Sequence, residues 1–354
     1  MKFGLHYQLP CRPEQSPVQR YRDTIEQAVH AEALGFESVW PVEQHFNAEL
    51  SISPAPLLTL AAIAERTQNL RLGIAIVLLS LSHPVRVAEE IATLDVISNG
   101  RVEFGIGRGS IPTHFTGYGL QQSESRERML ESLALILQSW TSERVSFRGQ
   151  FWNIDNIAVV PKPVQQPHPP VRVAANSADT FEWAGRQGHP IFVASQVNPF
   201  RKIKELLPIY RQARSAAGLP APSADDVTLL GPVYVAEDPA QLRRELEPSI
   251  KRFLASISSI YASAGPLPEG RIKEVMERVR QMTYEKVCEV MAIFETPDAC
   301  VARLQQYQQE FGMGRVICWF NPGGLVAHEH VLRSMELFAK KVMPHFECRV
   351  PSAE

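Results

Sequence analysis

The feature that most constrains the fold of this sequence is a strand-like segment followed by a helix-like segment, repeated eight times. The strand-like segments are short and apolar, and the helix-like ones carry apolar residues at intervals of three and four. Strands that are buried on both faces by helices are typical of parallel sheets. The predicted strands are 2–7, 36–40, 70–78, 101–106, 171–175, 190–194, 227–235 and 315–320.

Eight such units are what a (β/α)₈ barrel, or TIM barrel, requires. We therefore predict an α/β protein of this class, with a doubly wound open sheet as the alternative that periodicity alone leaves open. Two segments do not fit the repeat. Residues 145–160 predict a hairpin insertion, and residues 239–296 are too long for one connection and predict a helical insertion in the C-terminal half. We expect one domain over residues 1–346 and a tail over 347–354.

Composition excludes several classes of function. The formal net charge is -2 with scattered Lys and Arg residues, which does not favour binding to nucleic acid. No apolar run reaches the roughly 18 residues of a membrane span, and the N-terminus begins as a strand rather than as a signal peptide, so we expect a cytoplasmic protein. The 5 cysteines are widely spaced and form no CxxC pair, which predicts reduced thiols and no metal site.

The fourth predicted strand ends in alternating glycines. Gly105, Gly107 and Gly109 leave the backbone bare, and Arg108 lies among them. Exposed amides beside a guanidinium suit a phosphate group, although an ordinary strand exit with a solvated arginine is the simpler alternative. The spacing is not that of a dinucleotide-binding G-x-G-x-x-G motif, and Pro112 opposes the helix that such a motif needs directly after the glycines.

The active site of a TIM barrel lies at the C-terminal ends of its strands, so residues after the other strands matter as well. Asn176, Ser177 and Thr180 follow the fifth strand and open a helix, whose free amides favour anions. Arg126 begins the helix after the fourth strand and could supply a second guanidinium. Together with Arg108, these residues predict an anion site.

Polar residues also follow the second predicted strand. His45 lies beside Glu43 and Gln44, and a histidine at this rim can act as a general acid or base near neutral pH. A loop histidine that only binds a backbone group is the alternative. Four apolar residues at the same rim favour an apolar substrate, but they could equally belong to the core. They are Leu79, Leu81, Phe115 and Trp319.

Five motifs in a fixed order resemble the bacterial luciferase-like family of flavin-dependent monooxygenases, which includes alkanal monooxygenase. The resemblance runs from Met1 to about Phe346. The motifs are EQHF (43–46), GIAIVLLSLSHPVR (73–86), SNGRVEFGIGRG (98–109), AANSADTFEW (174–183), and FNPGG followed by VLRSMELFAKKVMP (320–344).

The resemblance implies a TIM barrel that takes reduced FMN from a separate flavin reductase. It also implies reaction with O₂ to a C4a-peroxyflavin, which then oxidises or hydroxylates a small organic substrate such as an aldehyde or ketone. Family members usually form dimers through the second and third helices, so we expect a homodimer. The alternatives are a non-catalytic partner subunit resembling the luciferase β chain, and a deazaflavin-dependent dehydrogenase.

Position by position, the resemblance assigns Arg108, Arg126, Ser177 and Thr180 to the flavin phosphate. It also implies a cis peptide between Ala75 and Ile76 that presses on the flavin ring. With the residues found above, the predicted cofactor-binding set is Ala75, Ile76, Gly107, Arg108, Gly109, Arg126, Asn176, Ser177 and Thr180.

The sequence departs from luciferase at three positions. Gln44 stands where the luciferase catalytic subunit has its catalytic histidine, Gly107 replaces its reactive cysteine, and Asn176 replaces a glutamate. These departures argue against light emission. We predict Glu43, Gln44 and His45 as the catalytic set, with His45 as the acid or base.

Overall fold

The computed structural model describes residues 1–263, 277 and 279–346. The predicted tail over 347–354 and part of the predicted insertion over 239–296 lie outside these residues. Twelve strands occur in the described part of the chain. They are β1 (Lys2–Tyr7), β2 (Ser38–Pro41), β3 (Arg71–Gly73), β4 (Val77–Leu78), β5 (Val102–Gly107), β6 (Val145–Arg148), β7 (Asn153–Ile157), β8 (Val171–Ala174), β9 (Ile191–Ala194), β10 (Val227–Val235), β11 (Ile293–Glu295) and β12 (Arg315–Trp319).

Eight of these strands close into a parallel barrel, which confirms the predicted TIM barrel. The order around the barrel is β1, β2, β3, β5, β8, β9, β10 and β12, and β12 pairs with β1 to complete the circle. Every neighbouring pair is parallel. All eight predicted barrel strands are therefore present, and the open-sheet alternative is wrong.

The helices connect the strands and cover the outside of the barrel. Pro56, Pro84 and Pro297 each lie in the first turn of a helix, where the missing amide hydrogen costs nothing. The helices in the described part are α1 (Pro17–Ala33), α2 (Pro56–Ala64), α3 (Pro84–Ile97), α4 (Pro112–Gly117), α5 (Ser125–Thr141), α6 (Ala178–Gln187), α7 (Phe200–Ala216), α8 (Pro239–Ser263), α9 (Tyr284–Val290), α10 (Pro297–Phe311) and α11 (His328–Lys341).

The two insertions differ in how well the sequence predicts them. β6 and β7 form an antiparallel hairpin within 145–160, as expected. Within 239–296 the described residues contain the helices α8 and α9, as expected for a helical insertion, and also the short strand β11, which the sequence did not indicate. β11 pairs with the end of β10, and its three residues are too few to give a recognisable strand pattern.

Alternation along β1 defines the inside and the outside of the barrel. Phe3, Leu5 and Tyr7 belong to the large apolar core between strands and helices. Gly4 and His6 have the opposite orientation, because side chains of a strand alternate between its two faces. The interior of the barrel therefore begins at Gly4 and reaches His6 at the C-terminal end of β1.

Trp40 fills the middle of the barrel. Its side chain is fully buried and packs with Phe192, Leu230 and Ile317. Gly73 makes this possible, since a Cβ at that position would overlap the indole ring. The barrel is thus closed at mid-height, and a ligand can enter only above Trp40.

The predicted strand over 70–78 is interrupted. β3 ends at Gly73 and β4 begins at Val77, and the peptide between Ala75 and Ile76 is cis, as the resemblance implied. Gly105 and Gly107 lie on the neighbouring strand β5 and carry no side chain. The Ile74 carbonyl group and the Ile76 side chain occupy the space that a Cβ atom at these two positions would need. Two of the three alternating glycines therefore accommodate the neighbouring strand.

Candidate active site

The C-terminal ends of β5 and β8 bring the predicted anion-binding residues together. The register pairs Ile106 with Val173, so Arg108 follows at the level of Ala175, two residues before Ser177. Ser80 Oγ donates a hydrogen bond of 2.6 Å to the backbone oxygen of Arg108 and holds this loop in place.

Two guanidinium groups that the sequence assigns to this rim have no partner within the described part of the chain. Arg108 is exposed, and Arg126 is half-buried in the first turn of α5. Neither side chain makes a hydrogen bond or an ion pair with any described residue. The start of α5 is held beside the Arg108 loop, because Gln122 Nε2 donates to the Ser110 carbonyl oxygen at 3.1 Å. Unpaired cations in neighbouring positions are suited to bind an anion.

The N-terminus of α6 adds backbone donors. Ser177 is the N-cap, and its hydroxyl lies 3.1 Å from the Thr180 hydroxyl instead of capping an amide. The amides of Ala178 and Asp179 have no acceptor within the described chain. Asn198 Nδ2 donates to the Asn176 carbonyl oxygen at 3.0 Å and fixes the loop before the helix. A helix start with free amides and hydroxyls fits a phosphate group.

The predicted catalytic residues form a hydrogen-bonded chain. Glu43 Oε2 accepts from the Leu78 amide at 3.0 Å, and Glu43 Oε1 lies 2.9 Å from His45 Nε2. The other ring nitrogen of His45, Nδ1, lies 3.1 Å from the hydroxyl group of Tyr118, which is 47% exposed. His45 therefore connects a buried carboxylate to a phenol at the surface.

Gln44 is bound to a histidine that the sequence did not indicate. Its Nε2 lies 2.9 Å from His114 Nε2, and the His45 amide donates to the same nitrogen at 3.4 Å. His114 is a buried residue of α4, and burial, with the nearby His45 as a second cause, lowers its pKa to about 4. His114 is accordingly neutral at pH 7, and its Nε2 accepts a hydrogen bond from the Gln44 amide group.

A family model described as luciferase-like monooxygenase matches residues 1–313. The chain belongs to this family. The match covers strands β1 to β11, among them seven of the eight barrel strands, and every residue of the predicted catalytic and cofactor-binding sets, and it confirms the family that the five motifs indicated.

Three similar proteins illustrate the range of the luciferase-like family. The crystal structure of monooxygenase RslO1 from Streptomyces bottropensis superposes with a TM-score of 0.85 at 30% identity and covers 98% of this chain and 100% of that chain. An alkanal monooxygenase alpha chain of the Kryptophanaron alfredi symbiont is 26% identical over 98% of this chain and 99% of its own length. An F420-dependent glucose-6-phosphate dehydrogenase of Amycolatopsis mediterranei is 28% identical over 91% of this chain and 94% of its own length. The family thus includes monooxygenases and F420-dependent dehydrogenases.

The luciferase-like barrel of this chain has an apolar cover over its mouth. Trp319 at the end of β12 packs with Phe253 of α8 and with Leu50, and Ile257 and Ile111 extend this cluster. Of the four apolar residues predicted at the rim, Trp319 belongs to this apolar cover. Leu79 instead belongs to the outer core, which is the alternative that the sequence left open.

Neither a metal centre nor a membrane span is found in the part of the chain that the structure describes. No group of three or more His, Cys, Asp and Glu side chains there could hold a metal ion. None of the described helices is long and apolar enough to cross a membrane.

Proposed function

We propose that this chain is a monooxygenase that uses reduced FMN and O₂ to oxidise or hydroxylate a small organic substrate. Bound reduced FMN supplies the electrons that activate O₂, and a separate flavin reductase supplies the reduced FMN. The observation that carries the proposal is that Arg108 and Arg126 make no hydrogen bond or ion pair with a described residue, together with the free amides at the start of α6.

The phosphate of the flavin would occupy this anion site. Arg108 would contribute a planar fork of donors, and Ser177, Thr180 and the first amides of α6 would bind the remaining oxygens. The flavin ring would then extend toward the apolar surface around Ala75 and Ile76, which packs above Trp40. An apolar surface suits the flat face of such a ring.

Proton transfer would run through His45. Gln44 cannot change its charge, so proton transfer in the predicted catalytic set falls to His45 with Glu43 as its partner. Glu43 orients its ring through Nε2, and Tyr118 connects Nδ1 of the ring to the solvent. These residues would move a proton between the site and the bulk without exposing the site itself.

The apolar cover favours a substrate with a mainly apolar body. Phe253, Ile257 and Trp319 form a wall without a charged side chain at the mouth of the barrel. Burial of apolar substrate surface against such a wall stabilises the complex by about 25 cal/mol per Å². An aldehyde, a ketone or another small molecule with one polar group would suit this wall.

A deazaflavin-dependent dehydrogenase is the second candidate function, because a relative with F420 dependence aligns over 91% of this chain. F420-dependent hydride transfer needs no oxygen, whereas the proposed reaction does. The two functions can therefore be separated by cofactor choice and by oxygen dependence.

A titration of FMN and riboflavin tests the phosphate site. The Arg108→Ala variant removes one charge-assisted contact worth roughly 1.5 to 3 kcal/mol, so FMN should bind about ten- to a hundredfold more weakly. Riboflavin lacks the phosphate, and its affinity should not change. Arg201→Ala is the matched control, since the Arg201 side chain is 92% exposed on α7. Equal losses for both flavins, or no loss for FMN, would contradict the assignment.

We also propose that the protein forms a homodimer through α2 and α3. Leu58 of α2 is 74% exposed, and Val96 and Ile97 at the end of α3 are each 45% exposed. The two helices line a groove of about 600 Å³. A second copy would cover this apolar surface, which a monomer would leave in contact with water.

A further inference from the structure

His6 is not among the site residues that the sequence predicts, and its side chain lies inside the barrel. His6 is the last inward-facing residue of β1 and is only 4% exposed. It pairs in register with Trp40, and its ring lies edge to face against Trp319 with 5.7 Å between the centroids. His6 is therefore a polar side chain that lies between Trp40, which fills the middle of the barrel, and the apolar cover around Trp319.

One nitrogen of His6 is fixed by the backbone. His6 Nδ1 lies 2.9 Å from the carbonyl oxygen of Trp40. A carbonyl oxygen only accepts hydrogen bonds, so Nδ1 must carry the proton. This leaves Nε2 with a free lone pair and makes it an acceptor.

The accepting nitrogen has no partner among the residues that the structure describes. His6 Nε2 makes no hydrogen bond with any described residue, and it is not one of the polar atoms that the protein encloses completely. Burial lowers the pKa of His6 to about 4, against the opposing effect of the Trp40 hydrogen bond, so the ring is neutral at pH 7. An open, neutral acceptor in an apolar surrounding attracts a donor, because leaving a buried acceptor unsatisfied is costly.

The other two histidines near the rim differ from His6 in this respect. Both nitrogens of His45 are engaged, by Glu43 and Tyr118. His114 uses Nε2 for Gln44, and its Nδ1 is enclosed by protein and has no hydrogen-bond partner among the described residues. Of these three histidines, His6 alone offers a ring nitrogen to a molecule in the barrel.

We propose that His6 is a ligand-contacting residue whose Nε2 accepts a hydrogen bond from an O–H or N–H group of the molecule bound in the mouth of the barrel. The inference rests on the proposed function only in requiring that this mouth binds a small molecule. The donor belongs either to a hydroxyl-bearing substrate or to the ring of the flavin. Anionic groups are excluded as partners, since the lone pair of a neutral imidazole repels them.

The test uses the full chain labelled with ¹⁵N-histidine, and the His6→Phe variant, which keeps a ring but removes both nitrogens. Comparison of the two spectra assigns the His6 signals. The wild type should show a neutral His6 with the proton on Nδ1 from pH 5 to pH 8. The probes are 2-naphthol, 2-methoxynaphthalene and FMN, added separately.

If the substrate provides the donor, 2-naphthol shifts the Nε2 signal and 2-methoxynaphthalene does not. His6→Phe then binds 2-naphthol about three- to tenfold more weakly, the equivalent of one neutral hydrogen bond, and binds the methyl ether unchanged. If the flavin provides the donor, FMN shifts the signal and His6→Phe weakens FMN binding instead. His189→Phe is the control, because His189 lies outside the barrel against Trp183.

A proton on Nε2, or an Nε2 signal that none of the three probes moves, would overturn the inference. Failure of the proposed function would give a different experimental result from failure of the His6 inference. In that case the wild type binds no FMN in any assay, while the position of the proton and the response to 2-naphthol still decide the role of His6.

Discussion

Glu103 is the carboxylate that binds three arginines together at the N-terminal end of the barrel. Its carboxylate lies 2.7 Å from Arg315 Nη1, 2.8 Å from Arg71 Nε and 3.5 Å from Arg172 Nε. Burial alone would raise the pKa of Glu103, but the three guanidinium groups outweigh burial and hold the pKa at about 2. The charges of this cluster thus lie at the N-terminal end, away from the mouth where the chemistry is proposed.

The low pKa of Glu103 predicts a loss of stability in acid. Its folded pKa is below the ordinary value of 4.5, so its contribution is present in full above about pH 4.5 and is lost as the pH falls toward 2. A shift of this size corresponds to roughly 3 kcal/mol. Glu103→Gln should lower the free energy of unfolding at pH 7 by about 3 to 5 kcal/mol, because three guanidinium groups lose their counter-charge.

Urea denaturation at pH 7 and at pH 4 measures this effect. The difference between wild type and Glu103→Gln should shrink as the pH falls. Glu182→Gln is the control, since Glu182 pairs with Arg186 on the surface of α6 and should change stability by at most about 0.5 kcal/mol. If the two variants were equally stable at pH 7, the role assigned to Glu103 would be wrong.

At the scale of single residues, the sequence predicted those candidate site residues that belong to contiguous motifs. The motifs indicated Arg108, Ser177 and the cis peptide at Ala75; the structure contains that peptide, and the roles of Arg108 and Ser177 stay predictions. Tyr118 and His114 were missed because they meet His45 and Gln44 across 73 and 70 residues. No periodicity or spacing encodes such a contact. His6 looked like an ordinary residue of an apolar strand.

At the scale of elements, the barrel strands were predictable because each one is an apolar run between two helices. The predictions of strands and helices from the sequence fail where a few residues interrupt a regular pattern. The run over 70–78 reads as one strand, but the chain turns at Ala75 and Ile76 and resumes pairing with β5 as β4. Pro112 was taken as evidence against a helix directly after the glycines, yet it begins the short helix α4. That helix carries His114, and Tyr118 directly follows it.

The apolar face of α2 and α3 predicts a dimer that one charge can disrupt. Leu58→Asp places a carboxylate on the most exposed apolar side chain of this face, and the variant should be a monomer in sedimentation equilibrium, whereas the wild type should be a dimer. Since Leu58 is 74% exposed in the single chain, the variant should still fold. Val18→Asp on α1 is the control with a similar exposure of 60% and should remain a dimer. A monomeric wild type would contradict the proposed interface.

At the scale of the whole molecule, the barrel is divided along its axis. Charged residues close the N-terminal end, Trp40 fills the middle, and an apolar cover led by Phe253 and Trp319 lies over the other end. The predicted flavin site, the His45 chain and His6 all follow or end strands on the C-terminal side of the barrel. This division explains why residues after the strands carry the proposed chemistry, as is general for the fold.

The reaction of the loaded chain with oxygen tests the central proposal most directly. The chain is mixed anaerobically with reduced FMN or with reduced F420 and is then exposed to O₂ in a stopped-flow spectrometer. We predict that bound reduced FMN gives a transient absorbance before oxidised FMN appears, that free reduced FMN does not give it, and that reduced F420 fails to bind. Reoxidation of FMN identical to that in buffer, together with tight binding of F420 and hydride transfer without oxygen, would contradict the account.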